Sequence, residues 1–166
     1  SARRPTARRP RRPGRRAAAA AVTGREYPDR PWVGIGCIVF RGDQVLLVRR
    51  GKPPRIGTWS LPGGAQHVGE TTEEAARREL REEAGIEVGR LTLAVVVDAI
   101  TRDDEGRALY HYTIVDFAGE WSGGEARAGD DVSEVAWATP AQLDGYDLTP
   151  AAHHAIAAAR DALARL

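Results

Sequence analysis

Residues 63–86 read GGAQHVGETTEEAARRELREEAGI, a glycine-bounded segment that contains six glutamates. Thr71 precedes a helical pattern and Glu74 follows it by three residues, which is the spacing of a capping box. Gly85 stands where a helix commonly ends in a left-handed conformation. The segment therefore predicts a helix over residues 72–84 that begins shortly after a glycine-rich loop.

Three carboxylates of this helix are expected to share one face. Glu79, Glu82 and Glu83 are spaced i, i+3 and i+4, so their side chains converge. An acidic surface face that neighbouring arginines neutralise would give the same pattern. The preceding LPGG segment favours another interpretation, because backbone carbonyls beside converging carboxylates form the all-oxygen site that Mg²⁺ or Mn²⁺ prefers. Such cations also bind phosphate oxygens, which indicates a phosphorylated substrate.

The composition indicates one folded domain with a basic tail. The 166 residues are 42% hydrophobic, which fits a single globular domain. Residues 1–30 contain ten arginines against Glu26 and Asp29, whereas residues 31–166 are acidic overall. We expect residues 1–30 to be a disordered Arg/Pro/Ala-rich tail and residues 31–166 to be the folded domain. A solvated tail, a nucleic-acid contact and an organelle leader all fit the tail composition.

Neither a disulfide nor a membrane span is expected. Cys37 is the single cysteine and lies in an apolar run, where a buried thiol is the simplest interpretation. No apolar run approaches the length of about 18 residues that a membrane span needs. These features predict a cytoplasmic protein.

Short apolar runs around the helix predict a mixed or antiparallel sheet, and hence an α+β fold. Residues 51–64 are too rich in proline and glycine for regular structure and are predicted to be a loop. Thr149 and Pro150 are predicted to begin a C-terminal helix over residues 149–166. An exposed strand edge near residues 32–40 would permit a homodimer, whereas a covered edge would fit a monomer. The predicted strands are residues 32–40, 44–50, 91–100, 108–121 and 132–139.

Residues 64–86 resemble the signature of the Nudix hydrolase family at every position that the signature specifies. The resemblance extends over the strand order of residues 31–140 and implies the Nudix fold, an α/β/α sandwich around a mixed sheet. The matching positions are Gly64, Glu70, Arg78, Glu79, Leu80, Glu82, Glu83, Gly85 and Ile86.

The resemblance also implies roles for these residues. Glu79, Glu82 and Glu83 would bind the catalytic Mg²⁺, with Mn²⁺ as a substitute, together with the carbonyl group of Gly63. Glu70 and Arg78 would form an ion pair that fixes the loop against the helix, and Gly64 and Gly85 would shape its two ends. Leu80 and Ile86 would anchor the helix to the sheet.

The reaction that the resemblance implies is hydrolysis of a phosphoanhydride in a nucleoside diphosphate linked to another group. A general base for the attacking water would be one of the helix glutamates or a carboxylate from a later loop. Asp130 and Asp131 are the leading later candidates, with Glu134 and Glu125 behind them. A solvated acidic loop is the alternative interpretation of these residues.

General similarity favours ADP-ribose as the substrate, with AMP and ribose 5-phosphate as products. A (d)NTP or oxidised-nucleotide pyrophosphohydrolase is the alternative, because the downstream proline frequent in ADP-ribose-hydrolysing members is absent. A non-catalytic nucleotide- or RNA-binding module is a third possibility. Aromatic side chains stack on bases, so Trp59, Tyr110, His111 and Tyr112 are candidate base contacts, with ordinary packing as the alternative. His67, in the loop before the helix, is a candidate contact for the substrate phosphates.

Overall fold

The computed structural model describes residues 24–166. Residues 1–23 of the predicted disordered tail, which was expected over residues 1–30, lie outside the described residues. The strands are β1 (Trp32–Arg41), β2 (Gln44–Arg50), β3 (Trp59–Ser60), β4 (Gly63–Ala65), β5 (Glu87–Val88), β6 (Thr92–Arg102), β7 (Ala108–Gly123) and β8 (Val132–Ala138). The helices are α1 (Thr72–Ala84) and α2 (Pro150–Ala164), and a 3₁₀ helix spans Pro140–Tyr146.

Strand β1 lies inside the sheet and has partners on both sides. It runs parallel to β7 over nine residue pairs, from Trp32 to Phe40. On its other side it pairs antiparallel with β4 at Gly34–Gly36 and with β2 at Phe40–Arg41. The predicted mixed sheet is confirmed. An exposed edge at residues 32–40 is wrong, because strands from distant parts of the chain cover both sides of β1.

The remaining strands extend this sheet in both directions. β2 pairs with β3 and β8, and β7 pairs with β5 and β6, all antiparallel. The sheet therefore forks where β1 changes its partner from β4 to β2. At the fork, the backbone N–H of Cys37 donates a hydrogen bond of 2.9 Å to the carbonyl oxygen of Pro62.

Alternation along β1 directs side chains to two separate cores on opposite faces of the sheet. Cys37 and Val39 pack with Leu80 of α1, on what we call the α1 face. Ile38 and Phe40 pack with residues of α2, including Ile156, on the α2 face. One helix thus covers each face, and the predicted α/β/α arrangement is confirmed.

The predicted helix boundaries follow from their caps. The Thr71 hydroxyl accepts a hydrogen bond of 3.1 Å from the Glu74 N–H, and the Glu74 carboxylate accepts one of 2.7 Å from the Thr71 N–H. Gly85 ends α1 in the left-handed region at φ 67°. Thr149 caps α2 through the N–H of Ala152 at 3.2 Å.

The predicted loop over residues 51–64 is wrong at its C-terminal end. It contains the two-residue strand β3 and the start of β4, and β5 is a further short strand that the sequence did not indicate. Strands of two or three residues carry too few side chains for an alternating pattern. They form because backbone groups of β1, β2 and β7 need hydrogen-bond partners.

Residues 24–30 contact the hairpin of β6 and β7. The Tyr27 N–H donates to the Leu109 carbonyl at 2.9 Å, and its hydroxyl donates to Asp103 at 2.9 Å. Glu26 accepts a hydrogen bond of 2.9 Å from the Tyr110 hydroxyl. The division of the chain at residue 31 stays a prediction. Within residues 24–166, no helix is both long and apolar enough to cross a membrane.

Candidate active site

Arg78 holds together the loop before α1 and the carboxylates of that helix. Its guanidinium donates two hydrogen bonds to Glu70, of 3.0 and 2.8 Å, and one of 3.0 Å to the carbonyl oxygen of Ala65. The same group donates to Glu79 at 2.8 Å and to Glu82 at 3.1 Å. The hydrogen bonds from Arg78 lower the pKa of Glu70 to about 2, and a further one comes from the His67 N–H. One cation therefore gathers three carboxylates.

Glu79 is almost fully enclosed, with 8% of its surface exposed. Burial raises the pKa of its carboxyl group, and the hydrogen bond from Arg78 opposes that rise. Gly64 lies directly against the carboxylate, since a Cβ atom at Gly64 would lie 2.6 Å from Cδ of Glu79. Only glycine fits at this position of the loop.

Glu83 is a partly buried carboxylate of the same helix. Burial raises its pKa to about 7, and the nearby charges of Glu79 and Asp130 add to the rise. Its Oε2 atom accepts a hydrogen bond of 3.0 Å from the Gly63 N–H. Within residues 24–166 no salt bridge reaches Glu83, and Arg50 lowers its pKa only through its more distant charge.

The donor set of this cluster fits a hard divalent cation. Its acidic side chains offer only carboxylate oxygens, and Glu83 is a partly buried acid without a paired cation in the described chain. Those are the ligands that Mg²⁺ and Mn²⁺ prefer. No three His, Cys, Asp or Glu side chains of residues 24–166 converge closely enough to bind one ion. The cause is visible in the contacts: Arg78 engages Glu79 and Glu82, while Glu83 is turned to the Gly63 N–H.

The loop before β8 brings Asp130 to the end of α1. The Gly129 N–H donates to the carbonyl oxygen of Glu83 at 3.1 Å, so the loop is fastened to the helix terminus. Asp130 lies close enough to Glu83 for its charge to raise that pKa. Asp131 instead forms a salt bridge with Lys52 at the surface. Of the two aspartates that the sequence singled out, Asp130 is the one beside the cluster.

The candidate substrate contacts fall into three places. His67 is exposed in the loop before α1, and its charge lowers the pKa of Glu70 and of Glu79. Trp59 packs on the α2 face with its ring edge-on to Tyr146, at a centroid distance of 5.0 Å. Tyr110, His111 and Tyr112 lie on β7, where the two tyrosine hydroxyls bond to Glu26 and Arg25.

Two residues that bear on the candidate site were not identified from the sequence. Tyr146 ends the 3₁₀ helix and contacts Trp59, and Asp116 is a buried acid in the middle of β7. For Asp116 a signal exists, because a single aspartate interrupts the apolar run TIVDFA. For Tyr146 none exists, because its contact depends on the path of the chain after β8.

Comparison with known proteins agrees with this geometry. The model of the NUDIX domain family matches residues 30–160. The ADP-ribose pyrophosphatase of Methanocaldococcus jannaschii is 36% identical over 105 residues, which cover 63% of this chain and 60% of that protein. The nucleoside triphosphatase NudI of Salmonella paratyphi B is 35% identical over 136 residues, which cover 74% of this chain and 93% of that protein.

A solved structure shows the same arrangement. The crystal structure of a MutT NUDIX hydrolase from Burkholderia pseudomallei is 33% identical and has a TM-score of 0.65, covering 78% of this chain and 98% of that one. The match to the archaeal pyrophosphatase spans less than two thirds of that protein's length. The signature segment, the fold and these similarities together show that the chain belongs to the Nudix hydrolase family.

Proposed function

We propose that this protein is a metal-dependent pyrophosphohydrolase that acts at the carboxylate cluster of α1. The observation that carries the proposal is the buried carboxylate of Glu79 together with the partly buried carboxylate of Glu83, at the junction of α1 with β4. Arg78 compensates the charge of Glu79, whereas Glu83 has no paired cation in the described chain, and a partly buried carboxylate without such a partner destabilises a fold. The arrangement is therefore best explained by the binding of a cation and its phosphate ligands.

The proposed metal ligands are Glu79, Glu82 and Glu83, with the carbonyl group of Gly63. When bound, Mg²⁺ or Mn²⁺ would neutralise the diphosphate and lower the pKa of a water molecule. Arg78 and Glu70 orient the loop on which Gly63 lies. Arg78 and Glu70 are therefore proposed as positioning residues. Arg78 donates hydrogen bonds to Glu70 and to the carbonyl oxygen of Ala65.

The proposed chemical step is attack of water on phosphorus. The water oxygen forms a new P–O bond, the bridging P–O bond breaks, and the proton passes to a carboxylate oxygen. Two carboxylates are placed for that proton. Glu83 has a pKa of about 7 and no hydrogen-bond partner for its Oε1 atom within residues 24–166. Asp130 is the alternative base, because it lies beside Glu83 on the fastened loop.

ADP-ribose is the substrate that we propose first, with AMP and ribose 5-phosphate as products. The named activity of the archaeal relative supports this choice. A second candidate is the hydrolysis of a (d)NTP or an oxidised nucleotide to its monophosphate. It is favoured by the similarity to NudI, which extends over 93% of that triphosphatase. Trp59 and His67 are proposed substrate contacts for either reaction.

The deciding experiment is Mg²⁺-dependent turnover of the full chain with ADP-ribose, the four dNTPs and 8-oxo-dGTP, with products identified by chromatography. AMP and ribose 5-phosphate from ADP-ribose would support the first candidate, and pyrophosphate release would support the second. Glu82→Gln and Glu83→Gln should abolish turnover. Glu73→Gln, an exposed glutamate in the first turn of α1, is the matched control. Equal turnover in all three variants would refute the proposed site.

A further inference from the structure

Asp116 is a carboxylate placed inside the sheet without a protein partner. Only 6% of its surface is exposed, and no hydrogen bond or salt bridge reaches it from residues 24–166. Burial raises its pKa to about 6. In the described chain, no side-chain oxygen is both fully enclosed and unpaired, so this carboxylate still touches solvent. A buried acid of this kind destabilises a protein unless a further group completes its hydrogen bonds.

The neighbouring strand makes room for this carboxylate. Asp116 on β7 is paired with Gly36 on β1. A Cβ atom at Gly36 would overlap the Oδ1 atom of Asp116 and lie 3.1 Å from its Cγ atom. Two residues further on, the same two strands place the apolar pair Ile38 and Ala118 on this face. The glycine and the aspartate therefore replace ordinary core packing at one position of the α2 face.

Asp116 lies in one row with the candidate active site. Gly36 is paired with Asp116 on one side and with Gly63 of β4 on the other. Two strand spacings separate Asp116 from Gly63, which is about 10 Å. In the described chain β4 pairs with no strand other than β1, so its outer edge is the route by which a ligand at Gly63 would reach the α2 face. A nucleotide spans such a distance with its phosphates at one end and its base at the other.

The surroundings of Asp116 on the α2 face are mostly apolar. Tyr112 and Ile114 precede it on the same face of β7, because alternate residues of a strand share a face. Gly34 of β1 lies next to Ile114 and carries no side chain. A Cβ atom at Gly34 would lie 3.3 Å from the Ile114 side chain. Trp59 and Tyr146 belong to the same side of the sheet. An apolar lining with one hydrogen-bond acceptor suits a planar base that offers one donor.

We propose that Asp116 is a specificity-determining residue whose carboxylate accepts a hydrogen bond from the exocyclic amino group of the substrate's nucleobase. The inference rests on the proposed function, because it assumes that phosphates bind at the α1 carboxylates. It adds the part of the molecule that selects the base. A hydroxyl donor on the ribose is the competing assignment, and the choice of ligands below excludes it.

The test is nucleotide affinity without turnover, measured by titration calorimetry on the full chain in Mg²⁺. AMP is compared with purine riboside 5′-monophosphate, and GMP with IMP, because each second ligand lacks one amino group and keeps the ribose. The variants are Asp116→Leu, which removes the acceptor, and Asp116→Asn, which keeps a carbonyl oxygen. Asp98→Asn, an exposed acid on β6, is the control.

We expect the wild-type protein to bind the amino-bearing ligand of at least one pair roughly tenfold more tightly, since a hydrogen bond to a charged group contributes about that much. Asp116→Leu should lose the preference, Asp116→Asn should keep part of it, and Asp98→Asn should keep all of it. An unchanged preference in Asp116→Leu overturns the proposal, as does a wild-type protein that prefers neither amino-bearing ligand or binds none of the four.

The affinity experiment tests the base contact of Asp116, and the turnover experiment tests the proposed function, so failure of one proposal can be distinguished from failure of the other. A protein that hydrolyses no nucleotide but shows the preference dependent on Asp116 overturns the proposed function and supports this inference. If nucleotides are hydrolysed but Asp116→Leu keeps the base preference of the wild type, the proposed function is supported and this inference is overturned. Thermal unfolding of each variant checks that the fold is retained.

Discussion

Arg78 and Glu70 are joined by two hydrogen bonds of 2.8 and 3.0 Å, the bidentate geometry typical of a guanidinium and a carboxylate. The pair links the loop of residues 63–70 to the second turn of α1. Because Arg78 also holds Glu79 and Glu82, the shape of the whole cluster depends on this contact.

Glu70→Gln should weaken the fold in a defined pH range. The pKa of Glu70 is about 2, lowered mainly by Arg78, against 4.5 for an unperturbed glutamate. The ion pair therefore stabilises the protein fully above about pH 4.5, and this contribution is lost as the pH falls towards 2. Urea unfolding should show a destabilised variant at pH 7 and a smaller difference near pH 2.5. We also expect turnover to fall roughly 10- to 100-fold, as for residues that orient metal ligands.

Glu83→Gln should abolish turnover and stabilise the fold. The raised pKa of about 7 means that the ionised form of Glu83 opposes folding, so the wild type loses stability as the pH rises from about 4.5 to about 7. At pH 8 the variant should be more stable by roughly 1–3 kcal/mol, because one pKa unit corresponds to about 1.4 kcal/mol. Chemical denaturation in EDTA measures the difference. A variant less stable than wild type at pH 8 would contradict this assignment.

Gly64→Ala should damage the site through a single added carbon. The new Cβ atom would press on the carboxylate of Glu79, so we expect a loss of roughly 1–3 kcal/mol in the free energy of unfolding and a marked fall in turnover. Gly145→Ala is the matched control, since no atom lies within 4 Å of its added carbon. Comparable losses in both variants would show that Gly64 has no special relation to Glu79.

Asp130→Asn and Asp131→Asn should differ in turnover. Asp130 lies beside Glu83, whereas Asp131 is paired with Lys52 at the surface. If Asp130 is the base, its variant should lose about 100-fold or more in kcat, and Asp131→Asn should stay near the wild-type value. Full activity in Asp130→Asn would leave Glu83 as the base.

Mg²⁺ should raise the melting temperature of the wild-type protein at pH 8. A ligand that binds only the folded state stabilises it in proportion to the logarithm of its concentration. The shift should vanish in Glu83→Gln and persist in Glu73→Gln, which alters the same helix outside the cluster. A shift of equal size in both variants would place the bound ion elsewhere. Mn²⁺ is the second metal to compare.

The sequence predicted α1 and its caps because these depend on local spacing. Thr71, Glu74 and Gly85 interact with residues at most four positions away, and the carboxylate face follows from helical geometry. The Glu70–Arg78 contact was predicted through the resemblance to a family, since eight residues and a change of backbone direction separate the pair.

Long-range features were not predictable. The sequence left open whether β1 has an exposed or a covered edge, because nothing in residues 32–40 reveals that β4 and β7 lie on either side. The burial of Asp116 depends in the same way on the absence of a side chain at Gly36, eighty positions earlier. Asp130 could not be separated from Asp131 until the hydrogen bond from Gly129 to Glu83 fixed the position of the loop.

The guanidinium of Arg78 serves as a permanent countercharge for the helix carboxylates. Since that positive charge is covalently part of the chain, the acidic cluster has a compensating partner from the moment α1 packs on the sheet, before any ion arrives. Folding of the protein therefore does not depend on a bound metal ion. Under the proposed function, an incoming divalent ion would displace Arg78 from Glu79 and Glu82 while the contact with Glu70 persists, so this one side chain would control the competition that sets metal affinity.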